Sequence, residues 1–393
     1  MSAVEDYITL GLRLGRHVDG IVDAYYGPPE LAAAVAAEEP REPAHLAIDA
    51  DAFLAELAAS GLAEQRCGWL EDQLAALRTY AGVLAGERIG YLDEVEGCYG
   101  VRPERVPEET FARAHERLEA VLPGRETLAE RMEAWRERTT VPDEKLAEAF
   151  DAIAALMREA TRRRFTLPKD ESFALELVRD ESWAAYNYYL GGLRSRIALN
   201  LDRPISAAFL IDLVVHEAYP GHHTEHAAKE EALVAQGVVE EALLLVPTPQ
   251  SIVSEGIAEN AWDAVADDGL RRSVVEVLAD LDIEYDMETA EAIAEAARDL
   301  RFVASNAALL LYEDGGTEDE AQMYIERWAA TTPTRAASSR RFIVDPLWRA
   351  YVSTYSYGGA LVRAHVAGRP ERFGELLTQH VRIGDLLPIS SAP

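Results

Sequence analysis

Cysteine, lysine and long apolar runs are what this chain has least of. Only two of its 393 residues are cysteine, Cys67 and Cys98, and neither sits in a CxxC or Cys/His pattern. Two isolated thiols exclude a disulfide framework and a thiolate metal centre. Three lysines (Lys145, Lys169, Lys229) leave arginine to carry nearly all the positive charge, and the net charge is −31. A chain this acidic, with no basic stripe, is repelled by phosphate backbones, so nucleic acid is excluded as a partner. Its longest uncharged apolar stretches, such as Phe302–Tyr312, are too short to cross a bilayer, and no membrane partner is expected. The first residues are acidic where a secretory signal would be basic, so the expected location is cytoplasmic.

What is present is ordinary globular material, 49% hydrophobic and 27% charged, without an internal repeat or a low-complexity linker. Apolar residues recur at helical spacing through Leu10–Val22, Asp51–Ala63, Leu70–Leu84, Glu109–Val121, Leu128–Arg136 and Lys145–Arg163, with Pro and Gly clusters between them. The run Arg162-Arg163-Arg164 reads as a solvated helix end. After Pro168 the pattern changes. Ser172–Arg179 alternates, Trp183–Leu190 is aromatic-rich, and Gly191-Gly192 precedes Arg194–Leu201, which predicts a small antiparallel meander. Helical periodicity resumes at Ser206 and continues to about Ala367, before a loose tail over Leu387–Pro393. The expected architecture is mainly α, with a helical scaffold half over 1–168 and a catalytic half over 169–393 forming one cooperative unit around a cleft.

Four of the nine histidines fall within eleven residues, His216-Glu217-Ala218-Tyr219-Pro220-Gly221-His222-His223-Thr224-Glu225-His226. Burying so many titratable groups is costly without a compensating ligand. Zinc hydrolysis uses this donor chemistry: two imidazoles and a carboxylate hold the metal, and a neighbouring glutamate acts as base. The usual HExxH spacing fails here, because position i+4 from His216 is Pro220. On a straight helix His222 would lie roughly 120° around from His216, and His223 about 20° around but roughly 10 Å along the axis. A single metal therefore demands that Pro220-Gly221 break the helix and bring one of them back. A second pattern overlaps the first. His222-His223-Thr224-Glu225-His226 matches an inverted HxxEH, with Glu225 as an alternative base. Downstream, Glu255 and Glu259 share a helix face, Glu255 as third ligand and Glu259 orienting a histidine from behind.

The stretch His216–His223 resembles the HExxPGHH signature of the bacterial domain-of-unknown-function family 885. Glu255-Gly256 resembles the start of that family's EGW motif, Ile197–Asn200 its short strand ending in Asn, and Thr354–Gly358 its closing SYxxG stretch. The chain departs from the family at Ile257, where Trp is usual, and at Ser305–Leu309, where a DxGLH-like segment is usual. The resemblance implies kinship with helical zinc peptidases of the gluzincin type, with Glu217 as base and His222 as second ligand. The bare helical angle favours His223, and both stay open. It also implies Tyr355 as a hydrogen-bond donor to a developing oxyanion. The strand ending at Asn200 is expected to pair with an extended substrate, since an exposed strand edge offers backbone hydrogen bonds.

The expectation is a metallopeptidase that binds one zinc per chain and cleaves small peptides or amides. The alternatives are a non-peptidase helical metalloenzyme using iron or nickel, and a metal-binding protein without hydrolytic activity.

Overall fold

A computed structural model describes residues 2–386 except Ser182 and Leu347, so the expected tail over Leu387–Pro393 lies outside the described residues. The protein is mainly helical, with two small sheets. The first half comprises α1 (Ala3–Leu14), β1 (Val22–Tyr25), α2 (Pro29–Ala37), α3 (Pro43–Leu57), α4 (Glu64–Leu84), α5 (Tyr91–Tyr99), α6 (Glu108–Val121), α7 (Leu128–Arg138) and α8 (Asp143–Arg164). Then come β2 (Ser172–Val178), β3 (Ala185–Tyr189), β4 (Arg194–Asn200), α9 (Ala207–Glu217), α10 (His222–Ala232), β5 (Leu243–Leu245) and α11 (Pro249–Glu259). The last group is α12 (Ala261–Val265), α13 (Asp268–Asp280), α14 (Met287–Ala297), α15 (Val303–Tyr312), α16 (Glu318–Trp328), α17 (Pro333–Val344), a π-helical segment Thr354–Gly358, α18 (Gly359–Val366) and α19 (Pro370–Leu376).

One expected helix is displaced. The segment Leu10–Val22 is helical only to Leu14, and Val22 begins a strand. The helix starts earlier because Ser2 caps it, with Ser2 Oγ accepting from Glu5 N–H and the Glu5 carboxylate accepting from Ser2 N–H.

The three-stranded sheet is mixed, which corrects the expected antiparallel meander. Its order is β2-β4-β3; β4 pairs antiparallel with β3 and parallel with β2, Ser172 opposite Arg194 and Val178 opposite Asn200. The strand ending at Asn200 is therefore central, with both edges used, and the outer edges of this sheet belong to β2 and β3. Asn200 instead holds the β2–β3 connection, donating from Nδ2 to the carbonyls of Glu181 and Trp183. The second sheet pairs β1 with β5.

One apolar core crosses the midpoint of the chain. Tyr7, Trp69, Phe111 and Phe150 share it with Leu210, Val214, Ile252, Val362 and Phe373, all buried. At about 25 cal/mol per Å² of apolar surface removed from water, each such side chain contributes roughly 1.5–3 kcal/mol. No helix among the described residues is long and apolar enough to cross a membrane. A cavity of about 1100 Å³ opens between β3, α9, α11, α17 and the 345–355 segment.

Candidate metal centre

α9 is an apolar helix capped by Ser206, whose Oγ accepts from Phe209 N–H. It delivers His216 and Glu217 to its own C-terminus and stops. The backbone leaves the helix at Ala218 and re-enters at His222, so the helix breaks where the spacing required. Gly221 makes the reversal possible: a Cβ there would lie 1.9 Å from the His216 carbonyl oxygen, so no other residue fits.

The break brings His222 back against His216, with their Nε2 atoms 3.1 Å apart. Glu255 from α11 completes the group, Oε2 at 3.5 Å from His216 Nε2 and Oε1 at 3.7 Å from His222 Nε2. One ligand atom from each residue lies within 4.8 Å of the others. Zinc–nitrogen and zinc–carboxylate bonds of about 2.0–2.2 Å in tetrahedral array separate donors by a little over 3 Å. The residues fit such an ion, and two further facts favour a cation. Glu255 Oε2 is buried with no hydrogen-bond partner among the described residues. Burial holds the His216 and His222 imidazoles below the usual range, leaving them neutral donors.

α11 reaches the group because two glycines let backbones touch. A Cβ on Gly256 would lie 2.4 Å from the Gly358 carbonyl oxygen, and one on Gly358 would lie 2.3 Å from that of Ile252. The π-helical segment thus packs directly on α11 and brings tyrosines to Glu255. Tyr351 donates to Glu255 Oε1 at 2.6 Å. Burial pushes the Glu255 carboxyl well above the usual carboxylate range despite that bond.

Glu217 is buried and lines the same cavity. Burial, with a contribution from Asp23, pushes its carboxyl up to about 8. A cation held by the triad would oppose that shift. Asp23 itself accepts from the Tyr186 phenol. Tyr355 also lines the cavity, 37% exposed, edge-on to Tyr351 with ring centroids 5.5 Å apart.

Two expected roles fall elsewhere. His223 points away from the triad into the core, its Nε2 3.0 Å from Glu171 Oε2 and its Nδ1 2.8 Å from Ser195 Oγ. With both ring nitrogens engaged, it has none left for a metal. Glu259 makes no hydrogen bond to a histidine among the described residues; it lies 3.5 Å from Arg301. The arginine run Arg162-Arg163-Arg164 at the end of α8 is exposed as expected, and Arg162 also reaches the buried Glu171 at 3.3 Å.

No family model matches the chain, and no curated protein matches it. Among solved structures it is similar to a Colwellia psychrerythraea protein assigned as a lipoprotein, with TM-score 0.53 and 15% identity over 86% of this chain. The chain spans 65% of that protein's length. A Shewanella oneidensis protein of unknown function, also assigned as a lipoprotein, aligns over 90% of this chain and 71% of its own, with TM-score 0.45 and 14% identity. An M32 carboxypeptidase from Deinococcus radiodurans aligns over 96% of this chain and 86% of its own, with TM-score 0.37 and 12% identity. The first of these likenesses concerns the fold alone.

Proposed function

We propose that the protein is a zinc-dependent hydrolase acting on short peptides, as the family-885-like signature at His216–His223 implies. The observation that carries this reading is the convergence of His216, His222 and Glu255 on one point of a large cavity that Glu217 also lines. His216, His222 and Glu255 hold one zinc per chain. When bound, zinc supplies Lewis acidity, polarising a carbonyl and lowering the pKa of water. Glu217 takes the proton that water gives up and passes it to the departing amine. Tyr355 donates a hydrogen bond to the carbonyl oxygen as charge develops there.

The remaining wall supports a peptide substrate. Ala185, Tyr186 and Asn187 of β3 line the cavity, and this edge offers main-chain hydrogen bonds to an extended chain. Phe342 and Trp348, stacked with centroids 5.8 Å apart, form an apolar wall near Tyr351 and favour an apolar side chain beside the scissile bond.

Two imidazoles and one carboxylate also suit ferrous iron. The carboxylate base adjoining the first histidine favours hydrolysis over oxygen chemistry. The test is E217Q assayed on short peptides together with its zinc content. Turnover should fall by about 10²–10⁴-fold with zinc retained. Loss of zinc, or unchanged turnover, would overturn the assignment of Glu217.

A further inference from the structure

Behind His222, on the side away from the triad, lies a buried polar chain. His222 Nδ1 is 3.1 Å from Ser254 Oγ, and Ser254 donates to Glu225 Oε2 at 2.6 Å. Lys229, one turn on along α10, donates to Glu225 Oε1 at 2.8 Å and lies 3.4 Å from Glu241 Oε1. Glu241 is held in turn by Gln250 at 2.9 Å and approached by His380 Nε2 at 2.8 Å. Ser254, Glu225, Lys229 and Glu241 are all buried.

The direction of this chain can be deduced from proton supply. Glu225 accepts at both oxygens, from Lys229 Nζ at Oε1 and from Ser254 Oγ at Oε2, the pattern of a carboxylate acceptor. Ser254 has a single hydroxyl proton and spends it on Glu225. Towards His222 it can therefore only accept, so the imidazole must present an N–H at Nδ1. A neutral imidazole carries one proton, so Nε2, the atom facing His216 and Glu255, is left with its lone pair.

We infer that Ser254, backed by Glu225 and Lys229, is a positioning residue that fixes His222 in the Nδ1–H tautomer and so preorganises it as a metal ligand, an inference that rests on the zinc reading above. It gives Glu225 a different task from the base of an HxxEH pattern: it anchors a ligand from behind. It also explains why a chain so poor in lysine keeps one here. The compact ammonium fits between Glu225 and Glu241, where a planar guanidinium would need more room.

The test combines nitrogen-15 NMR of the histidines in metal-free protein with zinc titration against a chromophoric chelator, on wild type, S254A and S254T. Wild type should show His222 protonated at Nδ1. S254A should lose that signature and bind zinc on the order of 10- to 100-fold more weakly, and S254T, which restores the hydroxyl, should recover both. An Nε2–H tautomer in wild type, or S254A with unchanged tautomer and affinity, would overturn the inference while leaving the zinc site standing. Absence of zinc binding by wild type would instead overturn the metal reading and this inference with it.

Discussion

His222 and His223 are adjacent in sequence and end in polar clusters of opposite character. His223 enters a closed set: Glu171 accepts from Tyr219 at 2.5 Å and from Arg158 at 2.6 Å, faces His223 at 3.0 Å, and the second imidazole nitrogen meets Ser195. Burial alone would raise the Glu171 carboxyl, but bonds from His223, Tyr219 and Arg158 outweigh it and hold the group below the usual range. His222 enters an open set, in which two imidazole nitrogens face each other at 3.1 Å and a buried carboxylate oxygen lacks a partner. A closed polar cluster stabilises a fold. One left incomplete at a cavity wall is the donor set the proposed metal would use.

Removing each histidine separates the two clusters most sharply. H222A should weaken zinc binding by more than the ~100-fold expected for losing an outer partner, with little change in the stability of the metal-free protein. H223A should leave zinc affinity nearly intact but cost about 3 kcal/mol, because buried Glu171 loses one of its partners. Zinc titration and urea unfolding of both variants check this, and equal effects of the two on zinc affinity would erase the distinction.

Acid should act on the polar chain behind His222. Attraction to Lys229 and His380 overcomes burial and holds the Glu241 carboxyl at about 2, below the unfolded value near 4.3. A depressed carboxylate contributes stability that is complete above its unfolded pKa and lost as pH falls through its folded one. Unfolding free energy should therefore drop between about pH 5 and pH 2, by roughly 3 kcal/mol from Glu241 alone. The slope should be shallower in E241Q, and an equal slope would contradict the assignment. The smallest effect is expected from Y351F, which removes the hydrogen bond to Glu255 and should weaken zinc about 10-fold without altering the closed cluster.

Local signals made part of this molecule legible. The histidine spacing required a helix break between His216 and His222, and the break is there. Glu255 followed from its place one helix downstream. Partners that arrive across long separations were not legible: Glu171 meets His223 from 52 residues away, and Tyr351 meets Glu255 from 96. The choice between His222 and His223 hung on the turn geometry that Gly221 permits, which helical angles cannot supply. Hairpin-like spacing does not set strand order here, because β2 crosses over to lie parallel to β4. Two signals were available and missed. Ser2-Ala-Val-Glu5 is a capping box, and Tyr351 lies one helical turn before Tyr355.

The most direct test of the central claim is metal content. Wild type, H216A and E255A should be stripped with chelator, reloaded with zinc and measured by elemental analysis. About one zinc per chain in wild type, lost in both variants, is the expected result. No tightly held zinc in wild type, or zinc retained by both variants, would contradict the His216–His222–Glu255 centre.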